Sequence, residues 1–203
     1  MKEIVVGTTN EAKVKQIQGA LANLDIQVSG VDRTKENLPE VEENGKTALE
    51  NARKKALAYA KALGRTVLSM DNALYFDTLP AEDQPGLHVR RINKENPRPS
   101  DEELIEYYSS LIEKMGGETK GYWEFGICVA TLDGQTRETT IISPRIFKSN
   151  PGAKVNPSYP LESLQIDPES GKFIGEMSEE EQALFWQKVI GKPLADFVTS
   201  VEF

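Results

Sequence analysis

A short polar segment near the start of the chain has the composition of a phosphate-binding turn. The apolar residues 4–6 are followed by Gly7-Thr8-Thr9-Asn10 and then by a helical pattern that contains Lys13. Unpaired main-chain N–H groups and the helix dipole make the start of a helix favourable for an anion, and Lys13 adds a positive charge one turn later. We therefore predict a phosphate site at this turn. The simpler alternative is that the polar side chains only cap the helix, namely Thr8, Thr9 and Asn10.

Two acidic residues are candidates for metal binding or acid–base chemistry. Asp71 interrupts an extended apolar pattern over residues 66–76. Because a buried carboxylate without a partner is costly, an inward-facing Asp71 should meet a cation, hydrogen-bond donors or a metal. The alternative is a turn between two short strands, since Asp-Asn sequences favour turns. Glu40 begins the acidic run Glu40-Val41-Glu42-Glu43, and such runs are usually solvated surface.

The composition excludes several classes of protein. With 24 basic and 32 acidic residues the net charge is -8, and the sequence lacks the basic stripe of a general nucleic-acid binder. No run approaches the roughly 20 apolar residues of a membrane span, and the N-terminus has no apolar signal core, so we predict a cytoplasmic protein. The single cysteine, Cys128, lies in an apolar strand-like run, and the single histidine is His88. A metal site would therefore use oxygen ligands, which favours magnesium or manganese over zinc.

Strand-like and helix-like stretches alternate in the first half of the chain, which is the pattern of an α/β fold. The predicted strands and helices there are 2–7, about 11–23, 26–31, about 48–63 and 66–76. Residues 120–147 are typical of a hairpin that turns at Asp133-Gly134. Three helix starts pair a hydroxyl residue with a glutamate three positions later, at Thr47, Ser100 and Ser178. Two long irregular segments, 77–99 and 148–160, are candidate walls of a cleft.

Four motifs in order resemble the inosine/xanthosine triphosphate pyrophosphatase family, also described as Ham1-like. They are GTTNEAK, LPEVEENGKTALENARKKA, LSMDNALYFDTL and QPGL, within residues 3–91. Members of that family hydrolyse non-standard purine nucleoside triphosphates to the monophosphate and pyrophosphate. The resemblance implies one domain over residues 1–203, an elongated mixed β-sheet flanked by helices, two lobes with a central cleft, and a homodimer. The turn at Thr8–Lys13 and Asp71 are expected to face each other across that cleft.

The resemblance also implies roles for particular residues. Thr8, Asn10 and Lys13, with Thr9 between them, match the triphosphate cradle, and Lys55 matches a lysine of the family's Glu-Asn-Ala helix. Glu40 and Asp71 match the carboxylates that hold Mg²⁺, for which Mn²⁺ is an alternative. In that mechanism Asp71 orients or deprotonates the water that attacks the α-phosphorus, Lys13 is the second catalytic residue, and no covalent nucleophile is required.

Three departures from the family pattern concern the second carboxylate and the recognition of the base. Met70 precedes Asp71 where the family has two acids in succession. The family's Phe-Gly-Tyr/Trp-Asp-Pro segment corresponds to residues 157–161, where Tyr159 is left to stack on a base. The Ser-His-Arg that reads the purine corresponds to Trp186-Gln187-Lys188, and replacing arginine by lysine loses a planar, bidentate donor. Gln187 and Lys188 are the candidate base-binding residues, with the alternative that Trp186 only fills the core.

These departures leave more than one function open. The leading hypothesis is a magnesium-dependent nucleoside triphosphate pyrophosphatase that clears unusual nucleotides and whose base preference the sequence does not determine, with altered base specificity as an alternative. One alternative is a nucleotide-binding homologue that kept the phosphate site and lost useful catalysis. Another is a cleft that serves a different phosphorylated metabolite, because a fold alone does not determine chemistry. Release of pyrophosphate distinguishes an enzyme from a binding protein.

Overall fold

The strands of the protein form one mixed sheet. A computed structural model describes residues 2–32, 36–92, 99–157 and 159–201. Within these residues the strand order is β2-β1-β3-β4-β5-β6. The bounds are β1 Lys2–Val6, β2 Ile26–Gly30, β3 Val67–Phe76, β4 Glu118–Ala130, β5 Thr136–Lys148 and β6 Gln165–Ile166. Strand β1 is parallel to both β2 and β3, whereas β5 and β6 are antiparallel. The predicted α/β class with a mixed sheet is therefore confirmed.

Four of the five α-helices in the described residues fall where the sequence predicts them, one of them with an earlier end, and the last helix was not predicted. Over the same residues they are α1 Glu11–Ala20, α2 Ala48–Leu63, α3 Asp101–Lys114, α4 Glu179–Trp186 and α5 Lys192–Thr199. A π-helical turn, Gln187–Gly191, joins the last two. Helix α1 ends three residues before the predicted residue 23, because the next bonds span three residues instead of four, from Ala22 N–H to Gly19 O and from Leu24 N–H to Leu21 O, and the chain then turns into β2.

The predicted helix starts are confirmed, but one cap differs in detail. Ser100 and Glu103 exchange side-chain to backbone hydrogen bonds, and Ser178 and Glu181 do the same. Thr47 accepts from the N–H of Glu50, as predicted. The Glu50 carboxylate, however, accepts from the N–H of Lys46 rather than from that of Thr47. The carboxylate thus satisfies a donor one residue before the cap, and the predicted reciprocal box at Thr47 is wrong in that half.

Asp71 lies inside an uninterrupted strand. All ten residues of β3 are extended, so the alternative of a turn at Asp71-Asn72 is wrong. The side chain of Asp71 is 16% exposed, and it has both a cation and a hydrogen-bond donor as partners. These partners offset the cost of placing a carboxylate in a largely buried strand, which explains why the chain does not turn there.

The chain divides into two compact units. The first contains residues 1–72, 124–141 and 183–203, and the second contains residues 73–123 and 142–182. In the first unit, α2 packs its small residues Ala52, Ala56 and Ala60 against apolar residues of the sheet that include Val5 and Val67. Small side chains on one helix face allow a close approach to a sheet, and this packing holds α2 next to the end of β1.

The second unit has its own apolar core. It is built from α3, from the second-unit parts of β3 and β5, and from the 3₁₀ turn Pro160–Leu164. Phe76 packs edge-on against Phe147, with ring centroids 4.9 Å apart. Of the irregular segments predicted from the sequence, 77–92 contains a 3₁₀ turn at Ala81–Asp83, and residues 93–98 lie outside the described part of the chain.

Two further predictions about the fold are confirmed. Strands β4 and β5 are neighbours, and the turn between them places Gly134 at φ +83°, a backbone conformation that favours glycine. Cys128 is fully buried, and burial raises the pKa of its thiol to about 12. It is therefore a packing residue and not a nucleophile. The helices within the described ranges are all too short or too polar to cross a membrane.

Candidate functional site

The turn after β1 approaches β3 so closely that it requires glycine. A Cβ on Gly7 would overlap Ser69 Oγ and would lie 2.9 Å from Val67 Cγ1. The N–H of Gly7 also donates to Leu68 O at 2.7 Å. The turn is therefore attached to β3 two residues before Met70, and the following residues project from a rigid base.

Asn10 caps α1, as the simpler alternative for this turn required. Its side-chain Oδ1 accepts from the N–H groups of Ala12 at 2.9 Å and Lys13 at 3.3 Å. The hydroxyl of Thr8 accepts from the N–H of Asn10 at 3.1 Å. These bonds set the direction of the turn, while Thr9 remains exposed. Capping and phosphate binding are compatible, because the hydroxyls of Thr8 and Thr9 still have a proton to donate.

A small pocket of about 120 Å³ opens beside this turn. The turn contributes Gly7, Thr8 and Thr9, and α2 contributes Lys55 and Tyr59. The segment before α2 closes the remaining side, with Val41 and Glu43. All seven residues belong to the first unit. Hydroxyls, a backbone turn and a lysine around one pocket make a suitable site for a phosphate group.

Lys55 is held by a carboxylate inside this pocket. Its Nζ donates to Glu43 Oε1, and the Lys55 side chain is 17% exposed. The charge of Lys55 is thereby positioned toward the pocket and is compensated when no anion is present. An incoming phosphate would compete with Glu43 for the same ammonium group.

Asp71 and Lys13 form the second part of the site. Lys13 Nζ lies 3.8 Å from Asp71 Oδ1 and donates to Met70 O at 3.3 Å. From the sequence we expect the turn at Thr8–Lys13 and Asp71 to face each other across a cleft. In the structure Lys13 and Asp71 instead form an ion pair within the first unit. Burial lowers the pKa of Lys13, partly opposed by the charge of Asp71, and Lys55 lowers the pKa further. The positive charge of Lys55, which lines the pocket, therefore acts on Lys13.

Asn51 completes the surroundings of Asp71. Its Nδ2 donates to Asp71 Oδ2 at 2.9 Å, and its Oδ1 accepts from the N–H of Gly45 at 2.7 Å. The side chain lies on the inward face of α2 and the residue is 2% exposed. Each carboxylate oxygen of Asp71 thus has one described protein partner and retains free lone pairs.

Glu40, the other predicted metal carboxylate, is exposed and does not line the pocket. Glu43, three residues later, is the member of the acidic run that reaches the site. The role of Glu40 in metal binding therefore stays a prediction. Within the described ranges no three carboxylate, histidine or cysteine side chains cluster as a metal site.

The donor set at Asp71 is nevertheless compatible with magnesium. Mg²⁺ in nucleotide enzymes is commonly held by one or two carboxylates together with substrate phosphates and water. Asp71 supplies one such carboxylate, and the phosphate-suited pocket lies in the same unit. The residues therefore fit an ion that arrives with a nucleotide, rather than one held by the protein alone.

Tyr159 belongs to the second unit, where it is half-buried near the carboxylate of Glu162. Glu162, 5% exposed, accepts from Asn156 Nδ2 at 3.2 Å. Burial raises the pKa of Glu162 to about 7, opposed by the Asn156 hydrogen bond and by the charge of Arg145. Burial also raises the pKa of Tyr159. Ser158 lies outside the described residues, and stacking of Tyr159 on a base stays a prediction.

Gln187 and Lys188 lie at the start of the π-helical turn after α4. Gln187 accepts from Asn23 Nδ2 at 3.3 Å, and Lys188 is exposed. Trp186 is half-buried and packs edge-on against Phe185, with centroids 5.2 Å apart. This packing agrees with the core-filling alternative for Trp186. A role of Gln187 or Lys188 in base recognition stays a prediction.

Sequence reasoning missed two residues of the site, Glu43 and Asn51. Asn51 had a detectable signal, because it is a polar residue among alanines on the inward face of a helix, between Ala48 and Ala52. Glu43 had none, since three glutamates in four residues all have the pattern of solvated surface. Only the path of the chain before α2 distinguishes Glu43 from its neighbours.

Comparison with known proteins gives consistent matches over most of the chain. The model of the Ham1 family matches residues 4–185. The dITP/XTP pyrophosphatase of Staphylococcus aureus strain MW2 is 31% identical over 185 residues, which is 90% of this chain and 88% of that protein.

Solved structures match as well. A HAM1 protein from Coxiella burnetii superposes with a TM-score of 0.72 at 22% identity, covering 99% of this chain and all of the other. The Ham1 protein of Staphylococcus aureus superposes with a TM-score of 0.69 at 25% identity, covering 98% of this chain and all of the other. The mixed sheet and its helices are therefore those of these structures.

Proposed function

The chain belongs to the Ham1 family, and on that premise we propose that it hydrolyses non-canonical purine nucleoside triphosphates to the monophosphate and pyrophosphate. The observation that carries the proposal is the contact of Lys13 with Asp71 in the same unit as a pocket that presents Thr8, Thr9 and Lys55. Attack of water at a phosphorus requires a carboxylate that acts on the water and a site that holds the phosphates, and the first unit contains a candidate for each.

The proposed chemistry assigns a task to each group. The hydroxyls of Thr8 and Thr9 and the ammonium of Lys55 hold the phosphates, after Lys55 exchanges Glu43 for the substrate. Asp71 orients or deprotonates the attacking water near the α-phosphorus. Lys13 pairs with Asp71 and neutralises charge that develops on the phosphates. A magnesium ion, when bound, supplies further neutralisation of phosphate charge, and Mn²⁺ is an alternative.

Three further features of the proposal are supported by the family resemblance. These are dependence on Mg²⁺, a homodimeric state and a cytoplasmic location. The proposal leaves the base preference undecided. Tyr159, Gln187 and Lys188 lie at positions that correspond to the family's base-recognition segments, but those segments have different residues in this chain. The names of the relatives make dITP and XTP the first substrates to test. A homologue that binds nucleotide without turnover is the alternative that the next experiment distinguishes.

The direct test is release of pyrophosphate from a panel of triphosphates with and without Mg²⁺. The panel contains dITP, ITP, XTP, dUTP and the four standard nucleotides. We expect magnesium-dependent release with a preference for one or more non-canonical purines. Binding of nucleotide without any release would instead indicate the non-catalytic homologue, and equal release from every base would exclude base recognition.

Lys13→Ala is expected to weaken triphosphate binding. The side chain is 18% exposed and carries one of the two ammonium groups near the phosphates, so its removal leaves negative charge less compensated. We expect KM to rise by roughly tenfold or more, equivalent to a charged hydrogen bond of about 1.5–3 kcal/mol. Steady-state kinetics with dITP measure this.

The matched control is Lys15→Ala, because Lys15 lies on the same helix and is exposed. Its KM should equal that of the wild type. An unchanged KM in Lys13→Ala would contradict the assignment of Lys13 to the phosphate site.

A further inference from the structure

The side-chain amide of Asn51 connects two parts of the site that are distant in sequence. One end donates to Asp71 Oδ2 at 2.9 Å, and the other accepts from the N–H of Gly45 at 2.7 Å. Asp71 lies in the middle of β3, whereas Gly45 lies in the segment that carries Glu43 into the pocket. A single rigid group therefore sets the distance between the strand and this segment.

The side-chain amide of Asn51 has little freedom to reorient. Asn51 is 2% exposed and lies on α2 between Ala48 and Ala52, which are both fully buried. Its oxygen faces an N–H donor and its nitrogen faces a carboxylate, so a flipped amide would place donor against donor and acceptor against acceptor. The assignment of the two ends thus follows from the chemistry of both partners.

The lack of a side chain at Gly45 permits its contact with Asn51. A Cβ on Gly45 would lie 2.6 Å from Asn51 Oδ1 and 2.9 Å from Glu50 Cβ, so any larger residue would displace the segment from the amide. The absence of a side chain at position 45 lets the backbone N–H approach to hydrogen-bonding distance. The close approach of Gly45 is an observation independent of the bond to Asp71, and both involve the same amide.

The geometry points to Asn51 as a positioning residue that acts through Asp71, an inference that rests on the proposed function. By donating to Oδ2, the amide fixes the rotation of the carboxylate while Lys13 lies on the side of Oδ1. The remaining lone pairs then have a defined direction toward the reacting water. By holding Gly45, the same amide keeps Glu43 and Lys55 in register with that carboxylate.

The first variant that tests this inference is Asn51→Ala, assayed for pyrophosphate release from the best substrate of the panel. Because a misplacement of about 1 Å costs on the order of 100-fold in rate, we expect kcat to fall by about 100-fold. The dissociation constant of a non-hydrolysable α,β-imido triphosphate should rise by a smaller factor than kcat falls, since Asn51 reaches the pocket residues only through Gly45 and does not itself line the pocket. A purely structural role would lower stability without this separation of kcat from binding.

Asn51→Asp separates the two contacts and guards against misfolding of the alanine variant. It preserves the volume of the side chain and an acceptor for Gly45, but it replaces the donor to Asp71 by a carboxylate oxygen. We expect kcat to fall at least as far as in Asn51→Ala, because two carboxylates would then face each other. Wild-type kcat in Asn51→Asp would overturn the inference.

A double-mutant cycle with Asp71→Asn provides the sharpest readout. If Asn51 acts through Asp71, Asn51→Ala should cost little further rate once Asp71 is already replaced, as single-turnover measurements can show. Additive losses would overturn the inference. Gln165→Ala is the matched control, since Gln165 is 3% exposed and its amide also makes two hydrogen bonds, to Trp123 and Leu161. Gln165→Ala should lower the stability of the protein. When the cycle is repeated in that variant, the coupling energy between Asn51 and Asp71 should stay the same.

The wild-type result separates failure of this inference from failure of the proposed function. No pyrophosphate release by the wild type from any triphosphate overturns the proposed function and this inference with it. Release by the wild type, together with unaltered kcat in either Asn51 variant, overturns the inference and leaves the function standing.

Discussion

Asp71→Asn should lower kcat for pyrophosphate release by roughly 10²–10⁴-fold, the range expected when a general base is removed. Asparagine has nearly the same shape, and its oxygen can still accept from Asn51 Nδ2, so the strand should remain folded. What is lost is the negative charge that pairs with Lys13 and polarises the attacking water. The change should therefore affect kcat more than KM, as measured by steady-state kinetics with dITP.

Asp77→Asn is the control, because Asp77 follows the same strand but is exposed. It should retain wild-type kcat. The melting temperature of Asp71→Asn, compared with that of the wild type, verifies that activity is lost without loss of the fold. Full activity in a correctly folded Asp71→Asn would refute the assignment of this residue to the reaction.

Gly126→Ala should destabilise the protein by about 3 kcal/mol or more, the upper range for overpacking of a core. A Cβ at this position would lie 2.5 Å from Leu49 Cα, and it would be closer still to Leu49 N and Ala48 C. All three atoms belong to the backbone at the start of α2, which no rotamer change can move. For a chain of this length the loss corresponds to a decrease in Tm of roughly 6–12 °C, measurable by calorimetry.

The same substitution should also reduce activity. Helix α2 carries Asn51 and Lys55, so moving its first turn displaces residues of the proposed site. Gly64→Ala is the control for the cost of backbone conformation alone. Gly64 has φ +65°, and a Cβ added there would meet no atom within 4 Å, so we expect a loss of only about 1–2 kcal/mol and unchanged kcat. Equal losses of stability and activity in the two variants would show that close packing at Gly126 is not the cause.

Elements with a local signal were predictable. Helix α2 begins and ends as its cap residues indicate, at Thr47 and Gly64. The turn at Gly134 and the burial of Cys128 also follow from short stretches of sequence. The early end of α1 was not predictable, because Ala22 and Asn23 continue a pattern compatible with helix. The end of α1 is set by the turn that Leu24 N–H closes on Leu21 O, and by the pairing of β2 with β1 that follows it.

The candidate site was predictable to the extent that its motifs are local. Asp71 stood out because a carboxylate in an apolar strand pattern requires a partner, and the structure supplies Lys13 and Asn51. The choice between Glu40 and Glu43 could not be made from the sequence. The two residues have the same chemistry and lie three positions apart, so only the path of the backbone determines which one reaches Lys55.

The sequence by itself determined the fold class, the family, and the presence of a polar turn, a lysine and a mid-strand aspartate, since each depends on residue type and short-range spacing. The tertiary structure alone decided which of these groups meet. Lys13 and Asp71 are 58 positions apart in the chain, and Asn51 meets Asp71, 20 positions later, because α2 packs closely on the sheet at Gly126. Long-range contacts of this kind arise from the packing of complete elements, and local propensities contain no information about them.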